Sequence, residues 1–207
     1  MPEYHKPVLV NETIALLDPR PGGVFLDATL GGGGHAAEML RRIGPEGRLL
    51  GMDRDPEALK YARKRLDEFG DRAVLIQGNF RDLAGILIDA GISALDGALF
   101  DLGVSSHQLD TERGFAFARD EELDMRMNPL ENTPSAADIV NSYSEHDLAD
   151  VIWRFGEERY SRRIARAIVE RRAKTPITRT GELAELITQA IPVKHRWNQG
   201  VHPATRA

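Results

Sequence analysis

The stretch Val24–His35, with the sequence VFLDATLGGGGH, decides the fold. A short apolar run ends in an acid, passes through four glycines and opens into helix-forming residues that begin at Ala36. This order predicts a strand, a tight turn and a helix, which together start a nucleotide-binding α/β unit. Glycine has no Cβ, so backbone N–H groups in such a turn can approach a ligand closely. The following helix adds the positive end of its dipole.

The same alternation of strand and helix continues through the first hundred residues. Strands are predicted at 24–28, 48–53, 73–76 and 95–101, with helices between them. Asp55 followed by Pro56 predicts a capped helix start after the second strand. This βαβ pattern is typical of a parallel, doubly wound sheet, so the predicted class is α/β with a Rossmann-like sheet.

The pattern changes after Asp101. Most of residues 102–132 are predicted as loop, and helices are predicted at 135–142, 145–155, 158–173 and 181–191, with Ser144 and Thr180 as caps. The predicted domains are a core over 1–105, a helical insertion for substrate recognition over 106–200, and a short return to the core over 201–207. Four strands form half of a typical doubly wound sheet and leave the fourth with an open edge. We therefore expect a sequence cut before the final strands of its sheet.

Composition narrows the class of protein. The chain is 42% hydrophobic and 29% charged, as is usual for a globular domain. It has no cysteine, which excludes disulfides, thiolate catalysis and cysteine-ligated metals, and its histidines show no metal-ligand spacing, so we expect no metal. No signal peptide or membrane-spanning run is visible, so we expect a cytoplasmic protein with no membrane partner. Whether it is a monomer or a homodimer stays open.

Charge is unevenly distributed along the chain. The net charge is −5, yet residues 154–179 carry nine basic and three acidic groups, while residues 1–153 carry −12. Such a basic segment predicts a local contact with a polyanion. Within it, Arg162, Arg163 and Arg166 are predicted on the solvent-facing side of a helix and are candidates for phosphate binding. An ordinary solvated helix face is the alternative interpretation.

The glycine turn fits two ligand fingerprints equally. Gly31, Gly33 and Ala36 have the spacing G-x-G-x-x-A, and Asp53 lies twenty residues beyond Gly33. This is the pattern of a dinucleotide site and also of an adenosyl-group site. A purely geometric glycine turn is the third interpretation.

The residues at the other strand ends separate these ligands. Asp27, Asp53, Phe80 and Asp101 follow the four strands, and open α/β sheets bind ligands at that edge. We expect Asp53 to accept the ribose hydroxyls, Phe80 to lie against an adenine, and Asp101 to be nearest the reacting end. Three acids favour a cationic ligand without a diphosphate, such as S-adenosylmethionine, over NAD. Asp27 as a cap of the turn and Phe80 as a core residue remain alternatives.

Several strings in the chain resemble the ribosomal RNA small subunit methyltransferase H family. They are DATLGGGGH at 27–35, GNF at 78–80, DLGVSS at 101–106, RGF at 113–115, LDMRM at 123–127 and HPATR at 202–206. The resemblance covers the whole chain, and several of these strings are specific to the family.

The resemblance implies S-adenosylmethionine-dependent N4-methylation of a cytidine in the decoding region of 16S rRNA, with the small ribosomal subunit as partner. It also implies a methyltransferase sheet interrupted after strand four by a helical insertion. The implied donor contacts are Gly33, Gly34, His35, Asp53, Phe80, Asp101 and Gln108. His35 is expected to act through its backbone N–H.

Asp101 is the predicted catalytic residue, which orients the amine or the donor. Asp124 and Arg126 are second-rank candidates for base contact or loop ordering. Related amino-methyltransferases often have an Asp/Asn-Pro-Pro-Tyr string where this chain has Asp101-Leu102-Gly103-Val104, so the proton acceptor stays open.

Two other classes of function remain. The first is a catalytically incomplete fragment that binds a nucleotide or RNA, which the missing strands favour. The second is a nicotinamide-dependent oxidoreductase, which the strand-end acids disfavour.

Overall fold

Four parallel strands form the predicted sheet in a computed structural model that describes residues 7–116, 118–196 and 201–207. They are β1 (Val24–Asp27), β2 (Arg48–Asp53), β3 (Ala73–Gln77) and β4 (Gly97–Leu99), in the order β3-β2-β1-β4. The chain moves outward from β1 through β2 to β3 and then returns to the other side of β1. The point where this order reverses lies between β1 and β4, where open α/β sheets bind ligands. The α/β prediction is confirmed.

Helices cover both faces of this sheet. They are α1 (Val10–Leu17), α2 (Gly34–Ile43), α3 (Pro56–Leu66) and α4 (Leu83–Asp89). Phe25 of β1 and Leu49 of β2 are paired in register and pack in one cluster with residues of α1, α2 and α3. Their neighbours Leu26 and Leu50 face the opposite side and pack with residues of α4. Alternate side chains therefore enter two apolar layers, which is why these strands are apolar throughout.

Local sequence signals fix where the elements begin. Asp55 caps α3, since its Oδ1 accepts the Glu57 N–H at 2.9 Å and Pro56 occupies the first helical position, as predicted. Strand β4 is shorter than predicted and pairs through Gly97–Leu99 with β1. Among the described residues β4 has a strand neighbour on one side only, so the predicted open edge is confirmed.

The second half of the chain is mostly helical. Its helices are α5 (Ser106–Asp110), α6 (Ala136–Ser142), α7 (Glu145–Gly156), α8 (Ser161–Arg172) and α9 (Thr180–Ala190). The short α5 lies in a stretch that the sequence predicted as loop. Ile152, Ile164, Ile168 and Ile187 are buried together from three of these helices. Ile164 and Ile168 thus lie on the buried side of α8.

The predicted serine cap is confirmed, and the predicted threonine cap is wrong. Ser144 accepts the Asp147 N–H at 3.1 Å at the start of α7. Thr180, predicted to cap the last helix, is instead the first residue of α9. Its hydroxyl accepts the Glu121 N–H at 2.9 Å and donates to the Arg119 carbonyl at 3.0 Å, so it is committed to another segment.

The chain divides into two units, residues 1–107 and 108–207. Residues 201–207, expected to begin a return to the sheet, lie in the second unit, where a 3₁₀ turn at Pro203–Arg206 places Ala204 in the helical core. Within the described ranges, no helix is both long enough and apolar enough to cross a membrane.

Candidate cofactor site

Acids from three strand ends converge on the turn after β1. Asp53, the last residue of β2, accepts the Gly31 N–H through Oδ2 at 2.8 Å. Asp101 follows β4, and its N–H donates to Thr29 Oγ1 at 2.7 Å. Asp27 ends β1 itself. Both neighbouring strand ends are therefore bonded to the segment between residues 29 and 31, and the structure brings the three predicted acids together.

Asp27 is the buried member of this group. It is 1% exposed, and its Oδ1 accepts the Thr29 N–H at 3.2 Å. Burial raises the pKa of Asp27 to about 7, and the negative charges of Asp53 and Asp101 add to the increase, while the Thr29 hydrogen bond opposes it. Charge at one carboxylate is thus felt at the others.

Asp53 is held by backbone hydrogen bonds to both of its carboxylate oxygens. Its Oδ1 accepts the Asp55 N–H at 2.9 Å, opposite the bond from Gly31. Burial raises the pKa of Asp53, and the two N–H groups favour its ionised form. Because each carboxylate oxygen has two lone pairs, both can still accept a hydroxyl.

The predicted donor-contact glycines have structural reasons of their own. Gly33 precedes α2 with φ of 75°, and its N–H donates to the Leu30 carbonyl at 2.8 Å. At Gly34, an added Cβ would lie 2.5 Å from Cγ of Pro7. His35 is 7% exposed, and its Nε2 lies 3.1 Å from the Val8 carbonyl oxygen. Gly34 and the His35 side chain therefore hold the segment before α1.

Two aromatic rings lie at the strand ends. Phe80, after β3, is 40% exposed, and Phe100, after β4, is 43% exposed. Their rings meet edge to face with centroids 5.7 Å apart. Two large rings left accessible side by side provide apolar surface for a flat ligand group.

Sequence reasoning missed two residues of this site. Phe100 resembles any apolar strand residue in the sequence, and only its exposure distinguishes it. Thr29 joins the turn to Asp101 through its hydroxyl. The sequence signal for Thr29 was a hydroxyl side chain placed between an acid, Asp27, and the glycine run.

Three other predicted residues lie in the second unit. Gln108 is buried within α5. Arg126 binds both Asp124 oxygens, through Nε at 2.9 Å and an Nη at 2.6 Å, and its other Nη donates to the Glu131 carbonyl at 3.1 Å. The hydrogen bond with Arg126 lowers the pKa of Asp124. Asp124 and Arg126 were predicted either to contact a base or to order a loop. These contacts favour loop ordering, because Nε and both Nη groups of Arg126 already donate hydrogen bonds within the loop.

The three predicted phosphate-binding arginines are exposed on α8. Nε of Arg166 lies 3.6 Å from a carboxylate oxygen of Glu145. Arg162 and Arg163 have no ion-pair partner within the part of the chain that the structure describes.

Comparison with known proteins gives the family. The MraW methylase family matches residues 3–207. The ribosomal RNA small subunit methyltransferase H of Geobacter sulfurreducens is 52% identical over 98% of this chain and 65% of its own length. That of Carboxydothermus hydrogenoformans is 51% identical over 98% of this chain and 64% of its own. The chain thus spans about two thirds of the length of these curated relatives.

A solved structure of an RNA methyltransferase from Salinibacter ruber, in complex with S-adenosyl-L-homocysteine, is 28% identical over 37% of this chain and 51% of its own, with a TM-score of 0.34. The resemblance seen in the sequence motifs is confirmed by the match along nearly the whole chain. This chain belongs to the MraW methylase family.

Proposed function

We propose that this protein binds S-adenosylmethionine and transfers its methyl group to ribosomal RNA of the small subunit, at N4 of a cytidine in the decoding region. The observation that carries the proposal is the edge where Asp27, Asp53 and Asp101 meet one glycine turn. Family membership and the names of the relatives support the substrate class.

The charge of this edge selects among adenosine-containing ligands. S-adenosylmethionine has a positive sulfonium and a positive ammonium group, whereas NAD has a pyrophosphate. Three carboxylates within electrostatic reach of one another attract the first and repel the second. Asp53 would accept the ribose hydroxyls, and Phe80 with Phe100 would contact the adenine.

Bound at this edge, the donor supplies an electrophilic methyl carbon. The exocyclic amine of cytosine is a weak nucleophile, because its lone pair is conjugated with the ring. A hydrogen-bond acceptor on its N–H increases electron density on the nitrogen and favours loss of the proton as the new N–C bond forms. Two observations support this role for Asp101: the residue is exposed, and its backbone is fixed by Thr29.

The second unit would provide the RNA contacts. Arg162 and Arg163 on α8 present positive charge that no carboxylate in the described residues neutralises, and Arg166 adds a third, partly paired charge. The Asp124–Arg126 pair would keep the loop over 124–133 ordered.

Methyl transfer tests the proposal directly. The 207-residue chain is incubated with methyl-tritiated S-adenosylmethionine and small ribosomal subunits lacking the modification, and the rRNA is digested to nucleosides. We expect label in N4-methylcytidine. We expect Asp101→Asn to reduce the rate at least about a hundredfold, which is the usual contribution of an acid–base group. That variant keeps the bond to Thr29, because the backbone N–H makes it.

Three outcomes contradict parts of the proposal. Near-normal transfer by Asp101→Asn removes this carboxylate from the mechanism. Label in another nucleoside contradicts the N4-cytidine assignment. Donor binding without any transfer would make the chain a binding fragment rather than an enzyme.

A further inference from the structure

The second unit has a cavity of about 260 Å³, which is lined by residues of that unit and includes none of the strand-end acids. Since a water molecule takes up about 30 Å³ in the liquid, the cavity has room for a phosphate group and several waters. Its lining is mainly basic and aromatic: Arg159, Tyr160, His195, Arg196, His202 and Arg206, with Glu157 and Glu158 as the acids. Such a lining is typical of an anion site.

Three arginines at and next to this cavity have no carboxylate partner among the described residues, whereas several others of the basic segment are paired. Arg154 pairs with Asp150 at 3.3 Å, and Arg179 pairs with Asp120 at 3.2 Å. Arg171 also has a carboxylate partner, Glu182. By contrast, Arg159, Arg162 and Arg163 have no ion-pair partner among residues 7–116, 118–196 and 201–207. All three are at the N-terminal end of α8, and Arg159 lines the cavity.

The start of α8 is unfavourable by the rules that govern isolated helices. Tyr160, its N-cap, provides no side-chain hydrogen bond, and the first turn has Arg162 and Arg163 but no acid. Basic groups at this end are repelled by the positive end of the helix dipole. Local rules of this kind are most often broken where a residue serves function.

One of the two acids in the lining, Glu158, binds the backbone with its side chain. Glu158 is 8% exposed, and its Oε1 accepts the Tyr160 N–H at 2.7 Å. Glu157 ends α7 in a left-handed conformation with φ of 52°. Partial burial lowers the pKa of His195, and the positive charges of Arg159 and Lys194 lower it further.

Tyr160 limits what the cavity can hold. Its ring stacks with His195 at 5.8 Å, and the guanidinium of Arg159 lies 4.9 Å from the ring centroid. A nucleobase would have to displace one of these neighbours, whereas a phosphate would only accept hydrogen bonds from the rim. Arg196 is fixed there, since its Nε donates to the Ile191 carbonyl at 2.9 Å.

We propose that this cavity binds a backbone phosphate of RNA, with Arg159 as its main contact. The inference rests on the proposed function, whose substrate it would anchor at a second place. Arg162 and Arg163 continue the unpaired charge beyond the cavity, which a chain of phosphates would use and a free phosphate ion would not. The contact is independent of base sequence.

Arg159→Gln tests the proposal, with Arg154→Gln as the matched control. Both arginines are exposed and lie five positions apart, but Arg154 is paired with Asp150 and outside the cavity. Affinity for a fluorescent single-stranded RNA is measured by anisotropy over a range of salt concentrations. We expect Arg159→Gln to weaken binding about tenfold, the usual effect of losing a charged hydrogen bond. Its log–log salt slope should decrease by about 0.7, one phosphate contact. Arg154→Gln should match the parent.

Equal losses in the two variants would overturn the proposal, because they would show a diffuse charge effect. Unchanged RNA affinity in Arg159→Gln would also overturn the proposal. If, in addition, NMR of His195 showed that inorganic phosphate binds, the cavity would be reassigned to a small anion. Arg159→Lys keeps the charge and should recover most of the salt slope. If Arg159→Lys has the parent's melting temperature but does not recover the slope, the result counts against the phosphate contact. Calorimetry with S-adenosylmethionine on the unsubstituted chain tests the proposed function separately.

Discussion

Asp27 links the energetics of folding to the chemistry of the strand-end site. It is buried, accepts one backbone N–H from Thr29, and lies in the field of Asp53 and Asp101. Ionising it in the folded protein is therefore costly, and a bound cation would reduce that cost. A residue that destabilises the fold at neutral pH is typical of a functional position.

Stability should depend on pH through Asp27. Its folded-state pKa of about 7 is above the ordinary value of 3.8, so folding takes up a proton between these values. Stability from this group is present at low pH and decreases as pH rises from about 4 to 7. Asn cannot ionise, and its side-chain oxygen can still accept the Thr29 N–H. We expect Asp27→Asn to be about 2–4 kcal/mol more stable than the parent at pH 8 and similar at pH 4.

Urea unfolding at a series of pH values measures this difference. Asp27→Ala, which loses the acceptor as well as the charge, separates the two effects: it should show the same flat pH dependence at lower stability. Parallel stability curves for Asp27→Asn and the parent would show that Asp27 does not titrate in this window.

The sequence predicted this cluster well, because strand-end positions follow from hydrophobic pattern alone. Asp27, Asp53 and Asp101 each end an apolar run, and parallel strands bring such ends to one edge. The hydrogen bond from Asp101 to Thr29 could not be predicted, since it depends on strand register and on a side-chain rotamer. The exposure of Phe100 could not be predicted either, because it depends on which elements pack against the end of β4.

The turn and helix α2 show how one element serves two segments. Gly33 provides the left-handed residue before the helix, while Gly34 leaves room for Pro7 of the lead-in. His35 then fixes the next residue of that lead-in, Val8. The sequence explained the glycine run by the close approach of a ligand to the backbone. The structure gives a different reason for Gly34, which must lack a Cβ because Pro7 packs against it.

Gly34→Ala should test that contact. Its Cβ would lie 2.5 Å from the Pro7 ring, so the lead-in must shift, and we expect a loss of about 1–3 kcal/mol in the free energy of unfolding. Gly85→Ala in α4 is the matched control, because its Cβ meets nothing within 4 Å. That change should be neutral or stabilise by up to about 1 kcal/mol. Equal effects of the two substitutions would contradict the packing of Pro7 on Gly34.

Helix ends were predictable where a side chain caps its own helix. Asp55 and Ser144 do so, and their helices begin as predicted. Thr180 is bonded across 59 positions to Glu121, a partner that no local pattern reveals. The short helix α5 was missed for a similar reason, since five residues are too few for a periodic signal.

Across the whole chain, charge is unevenly distributed, with −12 over residues 1–153 and +6 over residues 154–179. Residues 1–107 contain the acidic strand-end cluster, and residues 108–207 contain the basic segment with its unpaired arginines. The sequence showed the uneven distribution of charge from residue counts alone. It did not show which basic residues are neutralised, because the partners Asp150, Glu182 and Asp120 are known only from the fold.

Calorimetric titration of the 207-residue chain with S-adenosylmethionine and with NAD tests the central claim most directly. If the carboxylates at the ends of β1, β2 and β4 form one negative site, S-adenosylmethionine binds and NAD does not. The affinity for S-adenosylmethionine should also increase as pH rises through 7, because the cation favours the ionised form of Asp27. NAD binding as tightly as S-adenosylmethionine, with no effect of pH on either, would contradict the claim.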